Sequence, residues 1–164
     1  MDKKEIYLVD DSADYRLLVR GIFSKFLPNY HVKFFQGANE LYQFLILQSS
    51  PYYKGRLPAM IMMDLDMPSI DGITLLKLLR NTPDNAATQW KTLPVIILSN
   101  SDSPDVINKC YQAGINSYFV KPLDYEELRV MLETICHYWV NYNRLPQVDM
   151  SRMEGKSAAL DFDE

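Results

Sequence analysis

The sequence predicts an α/β fold built on an open parallel sheet, and three observations carry that expectation. Five short apolar runs recur along the chain: Ile6–Val9, Val32–Phe35, Ala59–Met63, Val95–Leu98 and Tyr118–Val120. Most are continuous rather than alternating, as strands covered on both faces require. Between them lie segments of helical length with apolar residues three and four apart, so the order is strand–helix repeated five times. Crossovers of that kind place helices on both faces of the sheet.

The elements follow in chain order. After Ile6–Val9, a helix over 13–27 is marked by Leu17, Leu18, Ile22, Phe23, Phe26 and Leu27. Val32–Phe35 contains Lys33 and reads as an edge strand. Leu41, Phe44, Leu45 and Leu47 mark a helix over 38–47. Ile73, Leu75, Leu76, Leu78 and Leu79 mark another over 71–80. The segment 104–112 is less apolar, but Ser103-Pro104 supplies a cap followed by proline in the first turn. The last helix, 124–142, opens on Asp124 with Glu127 three residues later, a start signature.

Two connections are long: Ser49–Pro58, rich in Pro, Gly and Tyr, and the polar Asn81–Thr92. Both precede strands, which puts them at the N-terminal edge of the sheet, away from the edge where such folds bind ligands. Residues 1–145 read as one domain and 146–164 as a tail, disordered at its polar, acidic end, with no output domain. Composition agrees. A chain of 164 residues with 48% apolar and 23% charged residues is an ordinary globular domain. Its net charge of −4 lacks the basic footprint of a nucleic-acid binder. No apolar stretch reaches the ~20 residues of a membrane span. Cys110 and Cys136 have neither metal nor disulfide spacing and read as half-buried thiols of a reducing, cytoplasmic compartment. His31 and His137 have no partner constellation and read as surface or packing residues.

The ends of the runs carry the chemistry. Asp10 and Asp11 close the first, Asp64 the third, Ser99 the fourth and Lys121 the fifth. In a parallel sheet these ends share one edge, so the polar groups converge on one crevice. Each alone has an ordinary reading as a cap, a turn carboxylate or a solvent-reaching lysine. Four strand ends together are not explained that way. Clustered carboxylates repel, and a divalent cation held by oxygen ligands relieves the repulsion. A carboxylate can then attack a phosphoryl group while an ammonium and a hydroxyl hold its oxygens.

Four segments carry a family resemblance. They are Leu8-Val9-Asp10-Asp11-Ser12, Met62-Met63-Asp64-Leu65-Asp66-Met67-Pro68-Ser69-Ile70-Asp71-Gly72, Pro94-Val95-Ile96-Ile97-Leu98-Ser99-Asn100 and Tyr118-Phe119-Val120-Lys121-Pro122-Leu123. On these the sequence resembles the receiver domain of two-component response regulators, from about Lys4 to Trp139. The resemblance implies a doubly wound, flavodoxin-like (βα)5 fold with strand order 2-1-3-4-5, the order the chemotaxis receiver exemplifies. Asp64 would be the phosphoacceptor. Asp11 and Asp64 would bind Mg²⁺ directly, Asp10 through water, and Asp66 by its backbone carbonyl. Lys121 would pair with the phosphoryl group, with a cis bond to Pro122. Ser99 would be the switch hydroxyl, Tyr118 the aromatic that turns inward, and Gly72 the residue allowing a tight turn into the third helix.

There are departures from the family pattern. Ser99 stands where threonine is commoner, and Asn100 where a small residue is usual. Asp66 adds a fourth carboxylate at the rim. Asp66 and Asn100 are therefore expected to tune the rate of dephosphorylation.

The expected function is a single-domain response regulator rather than an enzyme. It would take a phosphoryl group from a histidine kinase and pass the signal to a protein target or a phosphotransfer protein. The loop lengths and the aromatic end of the last helix resemble the stand-alone receivers that serve phytochrome-type kinases. In such a receiver Tyr138, Trp139, Tyr142 and Leu145 would be a homodimer face, or Trp139 would merely cap the core. Two other classes stand beside it: a phosphorylation-independent adapter on the same fold, and an aspartate-nucleophile phosphatase. The phosphatase order is reversed here, since the acidic pair comes first and Asp64 lies mid-chain.

Overall fold

A computed structural model describes residues 3–65, 72–84 and 88–146. Its elements alternate strictly: β1 Lys4–Val9, α1 Ala13–Phe26, β2 Tyr30–Phe35, α2 Ala38–Gln48, β3 Met60–Asp64, α3 Gly72–Asn81, β4 Val95–Ser99, α4 Pro104–Ala113, β5 Ser117–Val120 and α5 Tyr125–Cys136. The five strands form one parallel sheet in the order β2-β1-β3-β4-β5. β2 lies at one edge, as Lys33 suggests. Asp66, the segment Met67–Asp71 and the tail from residue 147 lie outside the described residues.

Two cores explain why the strand runs are apolar without alternation. Tyr7, Val9, Ile61, Met63, Val95 and Ile97 point to one face, against Leu41 and Leu45 of α2, Leu75, Leu76 and Leu79 of α3, and Cys110 of α4. Ile6, Leu8, Met60, Met62, Ile96 and Leu98 point to the other, against Val19, Ile22 and Phe23 of α1 and Leu128, Leu132 and Ile135 of α5. Successive residues feed opposite cores. Each such buried side chain contributes about 1.5–3 kcal/mol of transfer free energy.

The caps are partly as the sequence implies. Ser12 Oγ accepts from Tyr15 N–H at the start of α1, and Asp124 Oδ2 from Glu127 N–H at the start of α5. Ser103 occupies the cap position of α4 without a side-chain bond; its own N–H donates to Ser101 Oγ instead. Gly114 ends α4 at φ 108°, the left-handed region that favours glycine. The tight turn expected before Gly72 lies outside the described residues. A Cβ at Gly72 would lie 3.3 Å from Met63 Sδ, so glycine there lets α3 approach β3.

Three expectations need correction. The last helix is not one regular element: α5 gives way to a π-helical turn over His137–Tyr142. There Asn143 N–H reaches back five residues to the Tyr138 carbonyl, and the Asn141 amide donates to Tyr30 Oη at 2.7 Å. The Asn81–Thr92 connection is polar in composition but contributes to the core, with Thr88 and Trp90 buried. Arg80 holds that connection in place. Its guanidinium donates to the carbonyls of Trp90, Leu93 and Gly114 and to Asn116 Oδ1. His31 is exposed, as a surface residue, but it does have a partner, sharing a 2.9 Å contact with Glu5 Oε1.

Both long connections do lie at the N-terminal edge. They meet around a cavity of about 210 Å³ lined by Gln48, Leu57, Trp90, Leu93 and Leu145 among others. Cys110 and Cys136 are fully buried rather than half-buried, because they pack into the two cores on opposite faces of the sheet; neither is in a disulfide, and burial pushes the Cys136 thiol up to about 12.

Candidate functional site

The register of the sheet assembles the site. Val9 pairs with Met63, so Asp10 and Asp64 leave the sheet side by side. Asp64 pairs with Leu98, which puts Ser99 one step beyond it. Ser99 pairs with Val120, which sends Lys121 back over the same edge.

Asp10 is 2% exposed and Asp64 5%, whereas Asp11 is open to solvent. Asp10 is fixed at both oxygens: Oδ1 accepts from Ser12 N–H at 2.8 Å, and Oδ2 from Lys121 Nζ at 2.9 Å. Lys121 Nζ also lies 3.4 Å from Asp64 Oδ1. Carboxylate oxygens of Asp10, Asp11 and Asp64 all come within 4.8 Å of one another. Three carboxylates against one ammonium leave two negative charges in a small volume. A divalent cation with oxygen ligands matches both that charge and the donor set, and the exposed Asp11 leaves room for water ligands.

Ser99 is fully buried, and its Oγ accepts from Ser101 N–H at 3.1 Å, so the loop after β4 is folded back onto Ser99. Tyr118 is half-buried and its hydroxyl donates to the Ser101 carbonyl at 2.6 Å. The same loop is therefore held from β5 as well. Asn100 is exposed and lines a cavity of about 380 Å³ with Ser12, Tyr15, Lys121 and Pro122. That cavity shares Lys121 with the acidic cluster. The expected cis bond at Lys121–Pro122 is absent. No peptide bond among the described residues is cis, and Lys121 reaches both carboxylates from the trans form that X–Pro bonds ordinarily prefer.

Three contributors were not singled out from the sequence. Arg16 Nη1 donates to the Asp10 carbonyl at 2.6 Å and braces the turn after β1. Ser101 serves both Ser99 and Tyr118 by its backbone. Tyr15 lies under Lys121, with Nζ 4.3 Å from its ring centroid. Both Tyr15 and Arg16 lie on α1 just after the acidic pair, and that proximity was the available signal.

The family model of the response regulator receiver domain matches residues 6–133. The chain belongs to that family. A probable methanogenesis regulatory protein, FilR2 of Methanothrix harundinacea, is 29% identical over 142 residues, 86% of each chain. Response regulator Rcp1 of a Synechocystis strain is 27% identical over 143 residues, 87% of this chain and 93% of its own. The crystal structure of the phosphorylated cyanobacterial phytochrome response regulator RcpA superposes with a TM-score of 0.74 at 26% identity. That match covers 88% of this chain and 99% of RcpA. Among the described residues, no helix is long and apolar enough to cross a membrane.

Proposed function

We propose that this receiver is a phosphorylation-dependent switch that accepts a phosphoryl group on Asp64 in a Mg²⁺-dependent reaction. The observation that carries the reading is Lys121 lodged between Asp10 and Asp64, with Asp11 beside them. In the transfer, an Asp64 carboxylate oxygen forms the new bond to phosphorus as the bond to the donor histidine nitrogen breaks. Lys121 and Ser99 would take the phosphoryl oxygens and spread the charge of the transition state. Asp10, Asp11 and Asp64, with the Asp66 carbonyl that the family resemblance adds, would hold Mg²⁺, which supplies positive charge to the phosphoryl oxygens. Asp66 and Asn100 would set the lifetime of the product from the rim.

The switch would run through the loop after β4. A phosphoryl oxygen that accepts from the Ser99 hydroxyl would draw Ser99 towards Asp64, and Ser101, whose N–H donates to Ser99 Oγ, would follow; Tyr118 is tied to the same loop, so a shift there reaches the α4–β5–α5 surface. Exposed Tyr111, Val120, Leu123 and Tyr125 give that side apolar contacts to offer. The partners would be a histidine kinase, of the phytochrome or hybrid type, and a downstream protein or phosphotransfer protein. The likeness to RcpA and Rcp1 supports the phytochrome-type assignment. Residues 1–145 would act as one receiver domain in the cytoplasm, without nucleic acid or membrane as partner. Tyr138 and Tyr142, at 52% and 77% exposed, would form a homodimer face with Leu145, while Trp139 packs partly into the α1–α5 core.

Intact-protein mass after incubation with acetyl phosphate and Mg²⁺ tests the reading. One added phosphoryl group is expected, lost in Asp64→Asn and under chelator. No adduct from either acetyl phosphate or a histidine kinase, together with no metal binding, would favour the adapter reading. Sedimentation at tens of micromolar with and without a phosphoryl mimic tests the dimer; a monomer in both removes it.

A further inference from the structure

The hydroxyl of Tyr15 is the one buried side-chain polar atom without a hydrogen-bond partner among the described residues. A buried unpaired donor costs stability, so its retention calls for an acceptor that arrives later. Its surroundings say where. Tyr15 lies in the first turn of α1, four residues after Asp11, and its ring forms a wall under Lys121. The ammonium over that ring is the one that touches Asp10 and Asp64. Burial, and then the charges of Asp10 and Asp64, hold the hydroxyl well above the ordinary tyrosine range, so it keeps its proton and remains a donor. The oxygens of Asp10 are already engaged, by Ser12 N–H and by Lys121. An aspartyl phosphate on Asp64 would bring three new acceptor oxygens to the side that Lys121 occupies.

We propose that Tyr15 is a further phosphoryl-binding residue: its ring holds Lys121 in place, and its hydroxyl, unpaired in this structure, donates to a phosphoryl oxygen on Asp64. The proposal rests on Asp64 being the acceptor. Ring and hydroxyl are separable, because Tyr15→Phe keeps the aromatic face and removes only the donor, whereas Tyr15→Leu removes both.

Thermal unfolding of the full chain in Mg²⁺, with and without beryllofluoride as a phosphoryl mimic, tests this. Without the mimic, Tyr15→Phe is expected to melt at or above the wild-type temperature, since an unpaired donor has gone. With the mimic it should gain less than wild type, corresponding to about 10-fold weaker beryllofluoride binding, the loss of one charge-assisted hydrogen bond. Tyr15→Leu should gain less still. A Tyr15→Phe variant that gains as much as wild type would overturn the hydroxyl's role. A lower melting temperature of that variant without the mimic would do so too, because the hydroxyl would then already be paired. Equal responses of the Phe and Leu variants would overturn the role of the ring. A wild-type chain that gains nothing would overturn the Asp64 reading itself, and the Tyr15 proposal with it; the wild-type response therefore separates the two failures.

Discussion

Lys121 Nζ bonds Asp10 Oδ2 at 2.9 Å, across 111 positions of sequence, and lies farther, 3.4 Å, from Asp64 Oδ1. The ammonium is thus anchored on Asp10 and only leans on Asp64, the proposed acceptor. It neutralises part of the pocket's charge and would compete with a divalent cation for the same oxygens. Lys121→Ala is expected to bind Mg²⁺ at least severalfold more tightly, because a positive charge has left. Without metal the variant should lose about 3 kcal/mol, since buried carboxylates then face one another unpaired. Calorimetric Mg²⁺ titration and urea unfolding in chelator check both signs. Weaker Mg²⁺ binding in Lys121→Ala would mean that the lysine orders the carboxylates rather than competing for them.

Arg80 is the other long-range tie, and its role is structural. Its half-buried guanidinium, held below its ordinary pKa by desolvation, collects the carbonyls of Trp90, Leu93 and Gly114 and the side-chain oxygen of Asn116. Those groups belong to the connection before β4 and the turn before β5. Arg80→Met keeps much of the apolar stem and removes every donor. We expect a loss of about 2–4 kcal/mol in urea unfolding, with Mg²⁺ affinity unchanged. A loss below about 1 kcal/mol would mean that water replaces the guanidinium at those carbonyls.

The sheet and the acidic crevice were legible because both follow from local pattern. Runs such as Met60–Met63 are apolar on both faces, and four of the five runs end abruptly in Asp, Ser or Lys, so those strand ends and the site coincide. What was not legible depends on partners far away in sequence. The apolar spacing of α5 continues past Cys136, and the contact of Asn141 with Tyr30 that accompanies the π-helical turn lies 111 residues away. Trp90 sits in a polar stretch, and its burial depends on Arg80 and the α2–α3–α4 core. Tyr15 reads as one more aromatic at the start of an amphipathic helix. Its meaning comes from Lys121, which sequence spacing does not place beside it.

Tyr118 and Ser99 both act on Ser101, one through its carbonyl and the other through its N–H. Tyr118→Phe therefore frees one of two tethers on the loop between β4 and α4. The expected cost in global stability is about 1 kcal/mol. The local effect should be larger, with faster amide hydrogen exchange at Ser101–Ser103 and little change at β1 or β3. Uniform exchange across the sheet would show that the tether serves the whole fold rather than this loop.

Two buried acids should make the fold sensitive to alkali. Burial raises Cys136 from 9.0 to about 12 and, with a smaller opposing bond from Gln48, raises Tyr7 from 10.0 to about 12. In both the folded chain holds the proton more tightly than the unfolded chain. Their contribution is therefore complete below the unfolded values and is lost as pH rises from about 9 towards 12. Urea-unfolding free energy should stay level up to about pH 9 with respect to these groups and then fall, by about 1.4 kcal/mol per pH unit for each group engaged. Cys136→Ala should be less stable at neutral pH, by about 1 kcal/mol for the cavity, yet show a shallower alkaline slope. An unchanged slope in that variant would mean that the thiol ionises in place without unfolding the chain.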